Sequence, residues 1–225
     1  MCAQEFCYSE KLPVLIKAYI GSGKVLPINR GAGIDQKLLL DFTRRLSSGE
    51  WCHIFPEAGV WQKKSALGGR VQGVEAKGKL KWGVGKMIAH SAVTPVVIPF
   101  CHVGMEDVMP QDPVTRKTLT PVPLPGRHSV TVLFGEEISF QDLLEEHEEK
   151  YGKLRKCQAR SGSSVCKDTV TEKGGEGGGC GGGESEGEEW LRHWKSSDAE
   201  RDLYHCITRR IEQKMECLLV QLRQT

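Results

Sequence analysis

A strand, helix, strand pattern between residues 25 and 57 constrains this chain more than any other stretch. Val25 to Asn29 is a short apolar run broken by Pro27, and it ends at Arg30-Gly31-Ala32-Gly33. Asp35 to Ser48 then sets Leu38, Leu39, Phe42 and Leu46 at helical spacing, with Asp35 placed as N-cap and Gly49 just past the end. Trp51 to Phe55 is apolar again, and Pro56 stops it because proline has no N–H to give to a ladder. Two strands joined by one helix at this spacing form a βαβ crossover, which predicts that they lie parallel in one sheet. Their C-terminal ends, and with them Arg30 and Glu57, then meet at one sheet edge, where α/β proteins hold active-site groups over a crevice.

The residue types at those two ends set the chemistry. The planar fork of Arg30 can hold a phosphate through two N–H groups at once, and Gly31 and Gly33 let backbone N–H groups approach the same anion. Phe55-Pro56-Glu57 brings a carboxylate to the point where an apolar run breaks into a loop. Glu57 either faces the crevice or accepts backbone N–H bonds in an ordinary turn. The basic, glycine-rich residues 63–79 follow beside it and could reach anionic lipid headgroups or simply be solvated.

The rest of the chain extends an α/β reading. Leu80 to Ser91 is expected to be a helix whose Gly83 and Gly85 permit close packing on the sheet, Thr94 to Phe100 a β-branched core strand, and Ser129 to Phe134 a last strand. Phe140 to Lys153 reads as an acidic helix with Leu143 and Leu144 turned inward. Near the start, Leu12 to Ile20 is apolar nearly all round, which predicts a buried helix or, alternatively, one that lies in a membrane interface. Residues 1–153 are thus expected to form one α/β domain. Residues 154–189, almost only glycine and glutamate from Gly174 to Gly187, lack apolar anchors and are expected to be a disordered linker. Residues 190–225 form a C-terminal amphipathic helix with Leu203, Ile207, Ile211, Met215, Leu218 and Leu222 on one stripe, expected to pack back on the domain.

Charge and cysteine usage narrow the function classes. A formal net charge of +2 gives no whole-molecule field for nucleic acid, which is not expected as a partner. The nine cysteines contain no Cys-x-x-Cys pair, so neither a zinc site nor a disulfide framework is implied, and the glutamates of the acidic helix read as a solvated face rather than metal ligands. No run approaches the roughly 18 apolar residues of a spanning helix. Any membrane contact is expected to be peripheral.

Four blocks stand in a fixed order: Gly23-Lys24-x-x-Pro27-x-x-Arg30-Gly31, then His53-x-Phe55-Pro56-Glu57, then Lys81-Trp82-Gly83, then Pro95-x-x-x-Pro99-x-x-His102-Val103-Gly104-Met105. In that order the chain resembles the tafazzins, phospholipid transacylases of the glycerolipid acyltransferase superfamily, over residues 2–138 and weakly at the C-terminal helix. The resemblance implies a glycerolipid-acyltransferase-like mixed sheet flanked by helices. It also implies a substrate-binding set of Arg30, Gly31, Phe55, Pro56 and Glu57, with Arg30 on the glycerol phosphate. Two departures stand out. The family's catalytic His-x-x-x-x-Asp lies upstream of the arginine block and is not in this chain, and the family's Phe-Pro-Glu-Gly is Phe55-Pro56-Glu57-Ala58 here, with Gly59 where a lysine is usual.

As the resemblance implies, the expected function is phospholipid to lysophospholipid acyl transfer in cardiolipin-type remodelling, at a mitochondrial membrane surface, with phospholipid and lysophospholipid as partners. A histidine base oriented by a carboxylate would deprotonate the acceptor hydroxyl. No metal or cofactor is needed, and acyl-CoA enters only if the chain resembles the acyl-CoA-dependent lysophospholipid acyltransferases instead. The competing expectations are a catalytically inactive lipid-binding relative, or an incomplete chain whose upstream part carries the His-x-x-x-x-Asp pair. His102 and Asp107 share that spacing, but the tafazzins carry a similar His-Val-Gly-Met-x-Asp here in addition to the catalytic pair, so this pair reads as a coincidence of spacing.

Overall fold

The computed structural model describes residues 2–3, 13–29, 31–57, 80–108, 110, 112, 129–157, 194–222 and 224. In chain order these form β1 (Cys2–Ala3), α1 (Val14–Ser22), β2 (Pro27–Ile28), α2 (Lys37–Ser47), α3 (Gly83–His90), β3 (Phe100–Val103), α4 (Met105–Val108), β4 (Thr131–Phe134), α5 (Gln141–Tyr151) and α6 (Asp198–Leu222). The class is mixed α/β, with two short two-stranded sheets among the described residues. The proposed linker, Gly174 to Gly187, and the basic residues 63–79 lie outside the described residues.

Helix α3 is the centre of the packing, and its two glycines explain how. All eight of its residues are buried. A Cβ on Gly83 would stand 3.2 Å from Leu39 Cδ1 of α2, whereas one on Gly85 would stand 2.8 Å from the Tyr204 Cα of α6 and closer still to the Tyr204 carbonyl oxygen. Glycine at both positions therefore lets α2 and α6 close on opposite sides of α3, and the expected close approach is made to helices rather than to a sheet. Leu39, Leu40 and Phe42 from α2, Met87, Ile88 and Ala89 from α3, and Leu203, Tyr204, Ile207 and Ile211 from α6 share one core. The apolar stripe foreseen on α6 is the face that packs on the domain. Its helix begins at Asp198, later than the periodicity from Leu191 suggests, because Ser197 and Glu200 form a reciprocal cap: the Glu200 N–H donates to Ser197 Oγ at 3.2 Å and the Ser197 N–H to Glu200 Oε2 at 2.7 Å.

The expected parallel pair is not formed. β2 pairs in parallel with β1, Cys2 opposite Pro27, and residues 51–55 run extended outside any ladder. Pro27 and Pro56 each withhold an N–H, so the first run shrinks to two residues and the second stays a single extended strip. Its alternation survives: Cys52 and Ile54 pack against the core that also takes Leu26 and Ile28, while Trp51 is 95% exposed. Residues 94–99 are likewise not a core strand, since Pro95 and Pro99 interrupt the donors and Val96 and Ile98 are exposed. The ladder starts at β3, antiparallel to β4 with Phe100 opposite Phe134. One face of this ribbon, through Cys101 and Leu133, covers Leu218 and Leu222 of α6.

Two further expectations change. No residue of α1 is buried, and Leu15 is 84% exposed, so the buried-helix reading fails and the apolar helix lies on the surface. The packed unit also runs past 153: Leu154 and Cys157 are buried, the Cys157 N–H donating to the His90 carbonyl at 2.7 Å.

Candidate functional site

The glycine loop after β2 is held in shape by one side chain. Gln36 Oε1 accepts from the Asn29 N–H at 3.0 Å, and its Nε2 donates to the Gly33 carbonyl at 2.7 Å, so both ends of the loop are tied to the start of α2. Gly31 and Gly33 adopt left-handed φ of +87° and +76°, and a Cβ at either would meet nothing. Backbone conformation, not crowding, selects glycine here. Gly31 is exposed, and Arg30 lies outside the described residues.

Asp35, expected to cap α2, instead anchors this loop across the molecule. Gln36 stands at the cap position, and its side chain bonds to the loop rather than to the first N–H groups of the helix. The Asp35 Oδ1 accepts from Lys86 Nζ at 2.5 Å and from the Ser196 hydroxyl at 2.7 Å. Lys86, 1% exposed, spends its other two N–H groups on the Trp194 carbonyl at 2.6 Å and Ser196 Oγ at 3.0 Å, and lies 4.0 Å from the centroid of the Trp194 ring. A buried ammonium with all three donors used satisfies the condition that makes such burial tolerable. Burial raises the Asp35 carboxyl, but the hydrogen bonds from Lys86 and Ser196 outweigh it and hold it below the ordinary range. Burial also pushes the Lys86 ammonium down, against the pull of Asp35.

Between the loop and α6 lies a crevice of about 310 Å³, lined by Ala32, Gly33, Ile34, Asp35, Trp82 and Arg201. Trp82, from the Lys81-Trp82-Gly83 block, packs against His205 of α6 with ring centroids 5.6 Å apart. The Lys81 N–H donates to the Pro56 carbonyl at 2.9 Å, which ties the Phe55-Pro56-Glu57 turn to this wall. Phe55 sits further along, its ring 4.5 Å from His53 and 6.1 Å from Phe100. Glu57 is half-buried, and its charge adds to burial in pushing the Cys101 thiol up. The crevice therefore gathers the glycine loop, Trp82 and α6, with Pro56 one residue from its wall, while Phe55 and Glu57 belong to the β3 side.

His102 and Asp107 are both exposed, and no hydrogen bond or ion pair joins them among the described residues. Two histidines are buried among the described residues, His147 of α5 and His90 of α3, and His90 is the more deeply enclosed. Its Nδ1 lies 2.6 Å from the Arg155 carbonyl, which can only accept, so Nδ1 carries the proton and Nε2, 2.6 Å from Tyr204 Oη, accepts from that hydroxyl. Sequence reading missed Lys86, His90 and Arg201. Ser197-x-x-Glu200 was the one local signal that could have fixed the register of α6, and hence of Arg201.

No protein-family model matches the chain, and no solved structure matches it. Curated proteins do. An N-acylphosphatidylethanolamine synthase of Arabidopsis thaliana is 37% identical over 142 residues, 62% of this chain and 44% of that protein. Tafazzin of Drosophila melanogaster is 29% identical over 144 residues, 64% of this chain and 32% of its own length. A Dictyostelium discoideum protein named taffazin is 35% identical over 96 residues, 41% of this chain and 30% of its own length. The chain spans less than half the length of these relatives.

Proposed function

We propose that this chain is a member of the tafazzin family and that it holds the acceptor in the transfer of a fatty acyl chain between phospholipids. The observation that carries the reading is the joint similarity to tafazzins and to an N-acylphosphatidylethanolamine synthase, proteins whose common ground is phospholipid acyl chemistry. In the transacylation, the acceptor lysophospholipid hydroxyl loses its proton to a general base, its oxygen attacks the donor ester carbonyl, and the donor alkoxide leaves and takes up a proton. One ester is broken and one formed, so the balance needs no outside reagent. Arg30 and the glycine loop hold the headgroup phosphate and Glu57 lies at the polar end of the acceptor, while the family's His-x-x-x-x-Asp pair upstream of the arginine block is not among these residues.

The exposed α1 supports a peripheral membrane position. Val14, Leu15 and Tyr19 stand out to solvent on a helix that buries none of its own residues, and no described helix is long and apolar enough to cross a bilayer. Cardiolipin-type remodelling at a mitochondrial membrane is the specific setting we propose. The 37% identity to the Arabidopsis synthase favours one second reading, in which the acceptor is the amine of phosphatidylethanolamine. A single assay separates the two: label exchange from an acyl-labelled phospholipid to lysophospholipid or phosphatidylethanolamine in vesicles, followed by mild alkaline methanolysis. Once the acceptor product is separated from the labelled donor, label released from it as methyl ester marks the lysophospholipid acceptor, and label retained as an amide marks the amine. No transfer in an otherwise competent lipid binder would leave an inactive lipid-binding relative.

A further inference from the structure

We propose that the crevice between the glycine loop and α6 is a phosphate subsite whose cation is Arg201, so that a lipid headgroup is gripped by the C-terminal helix as well as by the loop after β2. The inference rests on the headgroup reading given above and adds to it a residue about 170 positions from the arginine block. Arg201 is held in place but not consumed. Its guanidinium lies 3.8 Å from Asp35 Oδ2 and 3.8 Å from Asp198 Oδ1, and it makes no hydrogen bond among the described residues. Neither carboxylate neutralises it locally. Asp35 is already matched by Lys86 at 2.5 Å, and Asp198 is fully solvent-exposed, where water and salt screen it. Of the charges that face the crevice, the guanidinium alone has its donors free for a ligand.

The opposite wall suits the same ligand. The N–H groups of Gly33 and Ile34 make no hydrogen bond among the described residues, in a loop with left-handed glycines at 31 and 33. Successive backbone N–H groups in such a loop form a concavity for anions. Ile34 and Trp82 line the remainder, apolar surface that fits the carbon stem of a phosphodiester better than a fully hydrated free ion.

Calorimetric titration of the full chain with glycerophosphoethanolamine, and in parallel with inorganic phosphate, tests this. Arg201→Gln is expected to lose about tenfold or more in affinity for the phosphodiester, and Arg201→Lys to recover part of it, because an ammonium cannot present the guanidinium fork. Ala32→Glu, which puts a carboxylate on the opposite wall, is expected to abolish binding. Affinity within twofold of the unaltered chain in Arg201→Gln, with Ala32→Glu also unaffected, overturns the subsite. Inorganic phosphate binding as tightly as the phosphodiester overturns its assignment to a lipid headgroup. The label-exchange assay keeps the two claims apart. Transfer with an unchanged KM for lysophospholipid in Arg201→Gln removes the subsite and leaves acyl transfer standing, whereas Arg201-dependent binding without transfer does the reverse.

Discussion

His90 is buried where a charge would be costly, and that makes it a source of acid sensitivity. Burial pushes its imidazole below the usual 6.5, outweighing the Arg155 carbonyl and Glu200, which favour the proton, while Lys86 and Lys156 add to the depression. Glu200 Oε1 lies 3.9 Å from Nε2, but protonation there would also displace the hydrogen bond from Tyr204. In the unfolded chain the ring takes a proton near 6.5, so between the folded and unfolded values the unfolded state binds more protons and stability rises with pH. The contribution is fully present above 6.5 and is lost as the pH falls through the folded value. Urea unfolding from pH 8 to pH 5 is expected to show a falling midpoint below about 6.5. His90→Gln, which cannot titrate, should flatten that slope while lowering stability at pH 8 by about 1–2 kcal/mol through its weaker hydrogen bonds. An unchanged slope would mean that other groups carry the acid response. The same position shows why such residues escape a sequence reading: the partners of His90 lie 65 and 114 residues away, and those of Lys86 lie 51, 108 and 110 away. A lysine within an apolar helix gives no local sign of which carboxylate will meet it.

At the scale of elements, periodicity located helices well and strands poorly. Leu39 and Phe42 of α2 and the stripe of α6 were legible because a helix satisfies its own backbone, and only its apolar face has to find a partner. Strands depend on a second segment for every hydrogen bond, and Pro27, Pro56, Pro95 and Pro99 each remove a donor where the apolar runs suggested a ladder. The shared sheet that was to bring Arg30 and Glu57 together is therefore not formed among the described residues, Arg30 lies outside them, and Glu57 belongs to the β3 side. The glycine loop and Pro56 do approach one wall, but they are carried there by α2, Lys81 and Trp82 rather than by a shared sheet. The element that diverged most is α1, and it yields a direct test. Leu15 already stands in solvent, so Leu15→Glu should leave the melting temperature unchanged within about 1 °C, as surface substitutions away from special contacts do. If α1 lies in a lipid interface, the same change removes an apolar side chain worth about 1.5–3 kcal/mol on burial, a loss of roughly tenfold or more in partitioning to phosphatidylcholine–cardiolipin vesicles. Equal partitioning by co-sedimentation would take α1 out of the membrane contact.

For the molecule as a whole, the segment after the glycine–glutamate stretch is not an appendage. Leu203, Tyr204, Ile207 and Ile211 are buried in the main core against α3, and Leu218 and Leu222 close the smaller core under β3 and β4. Polar contacts repeat the message along its length. Arg210 grips Asp142 of α5 through two bonds of 2.6 Å, Glu212 accepts from the Leu80 N–H, and the Trp194 carbonyl and Ser196 complete the shell of Lys86. Composition leads the sequence reading to expect a connection before it, and gives no sign that the far side completes the core and one wall of the crevice. If packing rather than chain continuity holds the segment, a site-specific protease site placed between Gly174 and Gly187 should be cut without the halves separating. The cut chain is expected to co-elute as one species on size exclusion at micromolar concentration and to keep the Arg201-dependent phosphodiester binding. Its unfolding midpoint, unlike that of the intact chain, should rise with protein concentration, because cutting replaces an intramolecular effective concentration of order millimolar with the bulk value. Fragments that separate at micromolar concentration while each stays folded would show that α6 is a mobile attachment, and the crevice would then lack its second wall.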